Sequence, residues 1–195
     1  ILLQLKNWIQ KLKPLTKKTD WDTYSISNTY KKEEEDRKLN IVHNFSKTHR
    51  PGIIADIGCN DGIYCCESLK AGANRAIGFD IDLNSIDRAY LNSVKKNLKF
   101  LPLYFNVMNP SSRLGWNENE RDSFIDRSKF DAIISLAFIH HLTLANNVPL
   151  DQAIKWLMKI APIGLIEYVD KEDETVKKML SLKGDIFPDY NKENF

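Results

Sequence analysis

From residue 51 onward the chain alternates short, nearly continuous apolar runs with helical segments. The runs 53-IIADI-57, 75-RAIGFD-80, 100-FLPLYF-105, 130-FDAIISLA-137 and 163-IGLIEYV-169 have the length of strands. Helical patterns fall at 62–71, 83–96 and 151–160, with one more at 172–182 after the fifth run. A strand that is apolar on both faces must be covered on both, and a helix between successive strands makes them parallel. This order predicts a Rossmann-like α/β fold: a doubly wound, mostly parallel sheet with helices on each side. Crossovers in such a sheet are right-handed, and ligands collect at the carboxyl ends of its strands.

The first 50 residues have a different texture. Apolar positions 1, 2, 5, 8, 9 and 12 are spaced as one face of a helix, with lysines between them and Pro14 to close it. A basic amphipathic helix suits a membrane surface or nucleic acid, but packing of its stripe on the main domain is the favoured reading. The aromatic stretch 20-DWDTYSISNTY-30 carries Trp21, Tyr24 and Tyr30, either core residues or a lid over a cofactor. A second helix is expected over 29–45, with Leu39, Ile41, Val42 and Phe45 on its packing side and its charge run as a solvated face. The organisation is therefore an N-terminal helical or lid segment, 1–50, followed by a Rossmann-like domain, 51–195.

Bulk properties narrow the function classes. With 195 residues, 43% of them apolar, there is material for one globular core. No apolar run approaches the ~20 residues of a membrane span, and no signal-peptide layout opens the chain. A net charge of +2 does not select a polyanionic partner, although residues 1–19 hold five lysines and no acid. Cys59, Cys65 and Cys66 lack zinc-type spacing, which fits reduced thiols in a cytoplasm, with the adjacent pair packed as small apolar residues.

The stretch 54-IADIGCNDGIYCC-66 links the first strand to the first helix of the domain. Gly58 permits a sharp turn and close approach of a ligand to backbone. Asn60 tolerates a left-handed conformation where glycine is common, and Gly62 lets the next helix sit near the strand. The second strand ends at Asp80, placed to accept the two hydroxyls of a ribose. The third ends at Asn106, whose amide both donates and accepts, as an adenine edge requires. A pyrophosphate-binding turn would read Gly-x-Gly-x-x-Gly, whereas here the spacing is Gly58-x-x-x-Gly62. Asp56 and Asp61 add negative charge, which disfavours a pyrophosphate and suits a zwitterionic or cationic ligand such as S-adenosylmethionine.

The segment Asp56-Ile57-Gly58-Cys59-Asn60-Asp61-Gly62, together with Asp80, resembles motifs I and II of the class I S-adenosylmethionine-dependent methyltransferases. The likeness covers about residues 51–170. Blocks 101–127, 131–150 and 165–190, with 21-WDTYSISNTY-30, are similar to the nodulation-protein-type (NoeA-like) bacterial methyltransferases. The resemblance implies S-adenosyl-L-methionine as cofactor, contacted by Asp56, Gly58, Cys59, Asn60, Gly62, Asp80, Ile81, Asn106, Val107 and Ser135. It also implies two further strands at the end of the fold, the last antiparallel. Only five are visible, so a C-terminal portion is expected to be missing from these 195 residues.

For chemistry, the fourth strand runs into Ile139-His140-His141-Leu142, which brings two imidazoles to the carboxyl edge of the sheet. Adjacent histidines point in different directions, so one is the candidate base for an acceptor hydroxyl and the other structural. Glu167, near the end of the fifth strand, could orient a histidine or bind an acceptor group, or be a satisfied strand-end acid. No third ligand accompanies the histidines at metal-binding spacing. The polar connection 111–128 carries Trp116, Arg121 and Arg127; it is expected at the rim, with Trp116 anchoring the loop rather than stacking on an acceptor.

The leading functional expectation is O-methylation of a small-molecule or carbohydrate-like acceptor. An RNA or protein methyltransferase using the basic N-terminal helix is an alternative, disfavoured because Ser135-Leu136-Ala137-Phe138 stands where an Asn-Pro-Pro-aromatic tetrad would mark planar-amine methylation. A nicotinamide-dependent oxidoreductase and a non-catalytic binding subunit complete the set.

Overall fold

The computed structural model of the chain describes residues 1–12 and 32–195. Pro14, Trp21, Tyr24 and Tyr30, with the expected lid segment, lie outside the described residues.

Five parallel strands form a single sheet. They are β1 (Ile53–Ile57), β2 (Arg75–Asp80), β3 (Phe100–Tyr104), β4 (Ala132–Ser135) and β5 (Ile163–Ile166). Their order is β3-β2-β1-β4-β5, so the chain winds outward from β1 in one direction and then returns to start again at β4. Register is continuous across the middle, with Ala55 opposite both Ile77 and Ile133. All five expected strands form, with shorter ends: β4 and β5 stop where the chain must leave the sheet to build the site.

The helices are α1 (Leu2–Ile9), α2 (Lys32–His49), α3 (Ile63–Lys70), α4 (Leu83–Lys95), α5 (Phe124–Arg127), α6 (Leu150–Ile160) and α7 (Glu174–Lys183). Side chains one residue apart on a strand face opposite ways, and the core divides accordingly. Ile54, Ala132 and Ile134 pack with Val42 of α2, Cys65 of α3 and Ala89 of α4. Ala55, Ile57 and Ile133 pack with Ala153, Leu157 and Ile160 of α6 and Val176 of α7. Local sequence sets the helix starts. The Asp82 carboxylate accepts the N–H groups of Asn84 and Ser85 at α4, and Asp173 accepts those of Thr175 and Val176 at α7. Each satisfies donors that the first helical turn leaves orphaned.

Three expectations need correction. The stripe of α1 does not pack on the domain among the described residues: Leu2, Trp8 and Leu12 are exposed. Ile41 is exposed, so the packing face of α2 turns through Lys38, Leu39, Val42, Phe45 and Ser46. The α2 charge run is not wholly solvated either, because Lys38 is only 13% exposed and pairs with Glu167. Among the described residues no helix is long and apolar enough to cross a membrane.

Candidate active site

The order of the strands creates a switch point between β1 and β4, where successive crossovers leave in opposite directions and open a crevice at the carboxyl ends. A cavity of about 960 Å³ opens there and continues along α3 and the C-terminal end of α4, past Tyr64, Leu69, Asn92 and Lys96. Gly58, Asn60 and Asp80 form one wall, Asn106 and Val107 an end, and Ala137, Phe138 and His141 the other wall. Its size falls at the upper end of that of a small-molecule site.

The glycine loop is built by backbone geometry. Gly58 and Gly62 have φ of 84° and 77°, and Asn60, the one non-glycine left-handed residue of the loop, has φ of 46°. A side chain at Gly58 would bring its Cβ to 2.6 Å from the Phe138 ring, so the two walls approach closely there. At Gly62 an added Cβ would collide with the Phe100 ring.

Every backbone N–H from 58 to 62 has an internal acceptor. Gly58 and Cys59 donate to the Phe79 carbonyl at 2.8 and 3.0 Å, and Gly62 donates to the Cys59 carbonyl at 2.8 Å. Asn60 N–H donates to Asp80 Oδ2 and Asp61 N–H to Asn60 Oδ1, both at 2.8 Å. A phosphate-cradling turn works by aiming such groups outward. This loop spends them on its own shape.

Charge on the loop is arranged differently from what the bare sequence suggests. Asp61 is paired with Arg88 at 2.9 Å. Asp56 is buried beneath the loop, and that burial pushes its pKa up to about 7.

 Its Oδ1 has no hydrogen-bond partner among the described residues, and Oδ2 lies 3.6 Å from Cys65 Sγ. The expected negative loop is therefore largely neutralised. Asp80 carries the charge that faces the cavity. Its Oδ1 accepts the Asp82 N–H at 2.9 Å, and burial raises its pKa.

The opposite wall has its own left-handed residue, Ala137, with φ of 50°. For a non-glycine residue that conformation costs about 1–2 kcal/mol. Its N–H donates to Glu167 Oε2 at 2.7 Å, and Lys38 Nζ lies 2.7 Å from Glu167 Oε1. Beyond it, Phe138 and His141 reach the cavity. His140 is 2% exposed, does not line the cavity, and has an unpartnered Nδ1 among the described residues. Burial lowers the pKa of His140 to about 3 and that of His141 to about 4, so both rings are neutral at pH 7.

Of the residues expected to contact a cofactor, Gly58, Cys59, Asn60, Asp80, Ile81, Asn106 and Val107 line the cavity. Asp56, Gly62 and Ser135 do not; Asp56 and Ser135 are buried and support the loops from below. Of the three candidate catalytic residues only His141 lines the cavity, while Glu167 stands behind the wall. Trp116 is 85% exposed, so it does not anchor its loop, and no residue of 111–128 lines the cavity. That connection is held by its own contacts instead, including Arg127 to Ser111 at 2.8 Å. Sequence reading missed Lys38, Ala137 and Phe138; an alanine carries no mark of a left-handed backbone, and Lys38 sat inside a charge run.

Comparison with known proteins agrees with this geometry. No protein-family model matches the chain. It is 45% identical over 196 residues to the nodulation protein NoeA of Rhizobium meliloti, which covers 100% of this chain and 41% of that protein. The chain is a class I methyltransferase-type domain related to NoeA. It is also 26% identical over 145 residues to a tRNA U34 carboxymethyltransferase of Campylobacter lari, covering 72% of this chain and 41% of that protein. The chain thus spans about two fifths of the length of these relatives. In fold it is similar to the bifunctional kinase-methyltransferase WbdD, with a TM-score of 0.54 at 16% identity over 87% of this chain and 36% of that one.

Proposed function

We propose that the cavity binds S-adenosyl-L-methionine and that the domain transfers its methyl group to an oxygen of a small-molecule or carbohydrate-like acceptor. The observation that carries this reading is the Asp80 carboxylate, held at the cavity wall by the Asn60 N–H while retaining acceptor capacity for a ribose diol. Asn106 and the apolar Ile81, Val107 and Met108 stand beside it as walls for a flat ring. The donor set fits the cofactor, because no outward row of N–H groups is offered to a pyrophosphate and a carboxylate is offered to a nucleoside. When bound, the cofactor supplies an activated methyl group on a sulfonium.

What the chain contributes is positioning, exclusion of water and a proton acceptor. Phe138 and Leu142 dry the side of the cavity where His141 stands. His141, neutral at pH 7, accepts the acceptor hydroxyl proton, and His140 packs behind it with ring centroids 4.2 Å apart. Within the N-terminal segment 1–50, α2 is the part laid against the domain 51–195, since its Glu35 and Lys38 line the same cavity. Acceptance of an RNA or protein substrate is a second reading, supported by the exposed α1 stripe with Lys6 and Lys11.

Isothermal titration with S-adenosylmethionine, S-adenosylhomocysteine and NADH tests the cofactor. Micromolar binding of the first two and none of the third is the expected result. Binding of NADH alone would overturn it.

A further inference from the structure

Glu167 touches three parts of the molecule at once. Its own N–H donates to the Ser135 carbonyl at 3.0 Å, extending the β4–β5 ladder by one rung. Its Oε2 accepts the N–H of left-handed Ala137 at 2.7 Å. Lys38 of α2 closes on the same carboxylate, 2.7 Å from Oε1 and 2.9 Å from Oε2. Glu167 does not line the cavity, whereas Ala137, Phe138 and His141 on one side of it, and Glu35 and Lys38 on the other, all do.

We infer that Glu167 is a positioning residue: it holds the Ala137–His141 turn at the cavity wall and, through Lys38, ties that turn to α2. The inference deepens the proposed function and rests on the reading of the cavity as a cofactor and acceptor site. An alanine leaves the left-handed region readily unless its surroundings over-determine it. Here one carboxylate oxygen fixes the amide that this conformation presents. The ion pair then restrains the carboxylate in a place where neither partner is fully solvated. Removing Glu167 frees Ala137 to relax, and Phe138 and His141 move with it. Removing Lys38 alone leaves the turn in place and loosens only the first turns of α2, whose later turns stay packed through Val42 and Ser46.

Four variants separate these roles: Glu167→Ala, Glu167→Gln, Lys38→Met and the double variant Glu167→Ala/Ala137→Gly. Two readouts are taken on the full chain: amide hydrogen exchange of 136–142 and 33–40 in the ligand-free protein, and affinity for S-adenosylhomocysteine by titration calorimetry. Glu167→Ala is expected to speed exchange in 136–142 and weaken affinity about tenfold, the release of a strain of this size. Glu167→Gln keeps an oxygen for the Ala137 N–H, so it protects 136–142 and loosens only 33–40, as Lys38→Met does. The double variant recovers part of the lost affinity, because glycine enters the left-handed region without the steric cost an alanine bears.

Unchanged exchange and affinity in Glu167→Ala, or no recovery in the double variant, would overturn the inference. If Glu167→Ala does not fold, equal loosening of 136–142 in Glu167→Gln and Lys38→Met would do so. A wild-type protein that binds no S-adenosylhomocysteine sinks the cofactor reading, while the exchange pattern still decides the role of Glu167.

Discussion

The two walls of the cavity solve one problem with different residues. After β1 the chain turns through left-handed Asn60, whose N–H is caught by Asp80 at the end of neighbouring β2. After β4 it turns through left-handed Ala137, whose N–H is caught by Glu167 just past neighbouring β5. In each case a strand-end carboxylate pins the loop of the adjacent strand. The first wall uses residues suited to the conformation, with Gly58 and Gly62 around an asparagine whose Oδ1 accepts the Asp61 N–H. The second wall places an alanine there and adds Lys38 to hold the carboxylate. The first carboxylate also faces the cavity, and the second does not. On the proposed function this is a division of labour, in which the β1–β2 wall binds and the β4–β5 wall presents the reacting group.

The largest test of that division is His141→Ala. It should lower methyl transfer by about a hundredfold or more, the usual worth of a general base, while affinity for S-adenosylhomocysteine changes little. His140→Ala should chiefly lower stability, since that ring is buried outside the cavity. Equal loss of turnover in both would break the comparison at its reacting wall.

Asp80→Ala attacks the binding wall. It removes the acceptor of the Asn60 N–H together with the proposed diol contact, so affinity should fall about thirtyfold to a hundredfold. Calorimetry checks this, and affinity within twofold of wild type would remove Asp80 from the site.

Titratable groups in and beneath the walls give the pH dependence of stability opposite signs. The folded-state pKa of Asp56 is raised to about 7 from 3.8, so the native state binds more protons than the unfolded state across that window. Its contribution is present in full below about pH 4 and is lost as pH rises through 7. The pKa values of His140 and His141 are lowered to about 3 and 4 from 6.5, so their contribution is lost as pH falls below about 6.5. Asp56→Asn should therefore gain stability relative to wild type as pH rises from 5 to 8, by on the order of 3 kcal/mol. Urea melts at pH 5 and pH 8 provide the measurement, and a gain of the opposite sign would refute it.

The smallest effect distinguishes the two left-handed residues directly. Ala137→Gly should raise stability by up to about 1 kcal/mol, because it relieves a conformation that costs an alanine more than that. Asn60→Gly should be neutral or destabilising, as it loses the bond to the Asp61 N–H. A gain at both positions would show that the walls are held alike.

Much of the first wall was legible in the chain. Gly58, Asn60 and Gly62 are residue types that announce positive φ, and Asp80 follows at the end of an apolar run. Periodicity likewise foretold the five strands and the helices α3, α4 and α6 between them, with ends shifted by a few residues, but not the short α5 inside the polar connection. The second wall was only half legible. The histidines were marked by their place after β4, but which one faces the cavity depends on a turn that begins at an alanine. The exposure of Trp116 and the withdrawal of 111–128 from the cavity also depend on packing, not on the polarity of the segment.

By itself the sequence determined the alternation of elements, the glycine loop and the acid beyond it, because these follow from local patterning and backbone freedom. Only the tertiary structure decided how the loop treats charge and donors. Arg88, some 27 residues beyond Asp61, neutralises it, and Asp80 takes the Asn60 N–H from the next strand. It also brought Lys38 to Glu167 across 129 residues of chain. Pairings of that kind are set by which helix covers which strand end, and no local pattern encodes them.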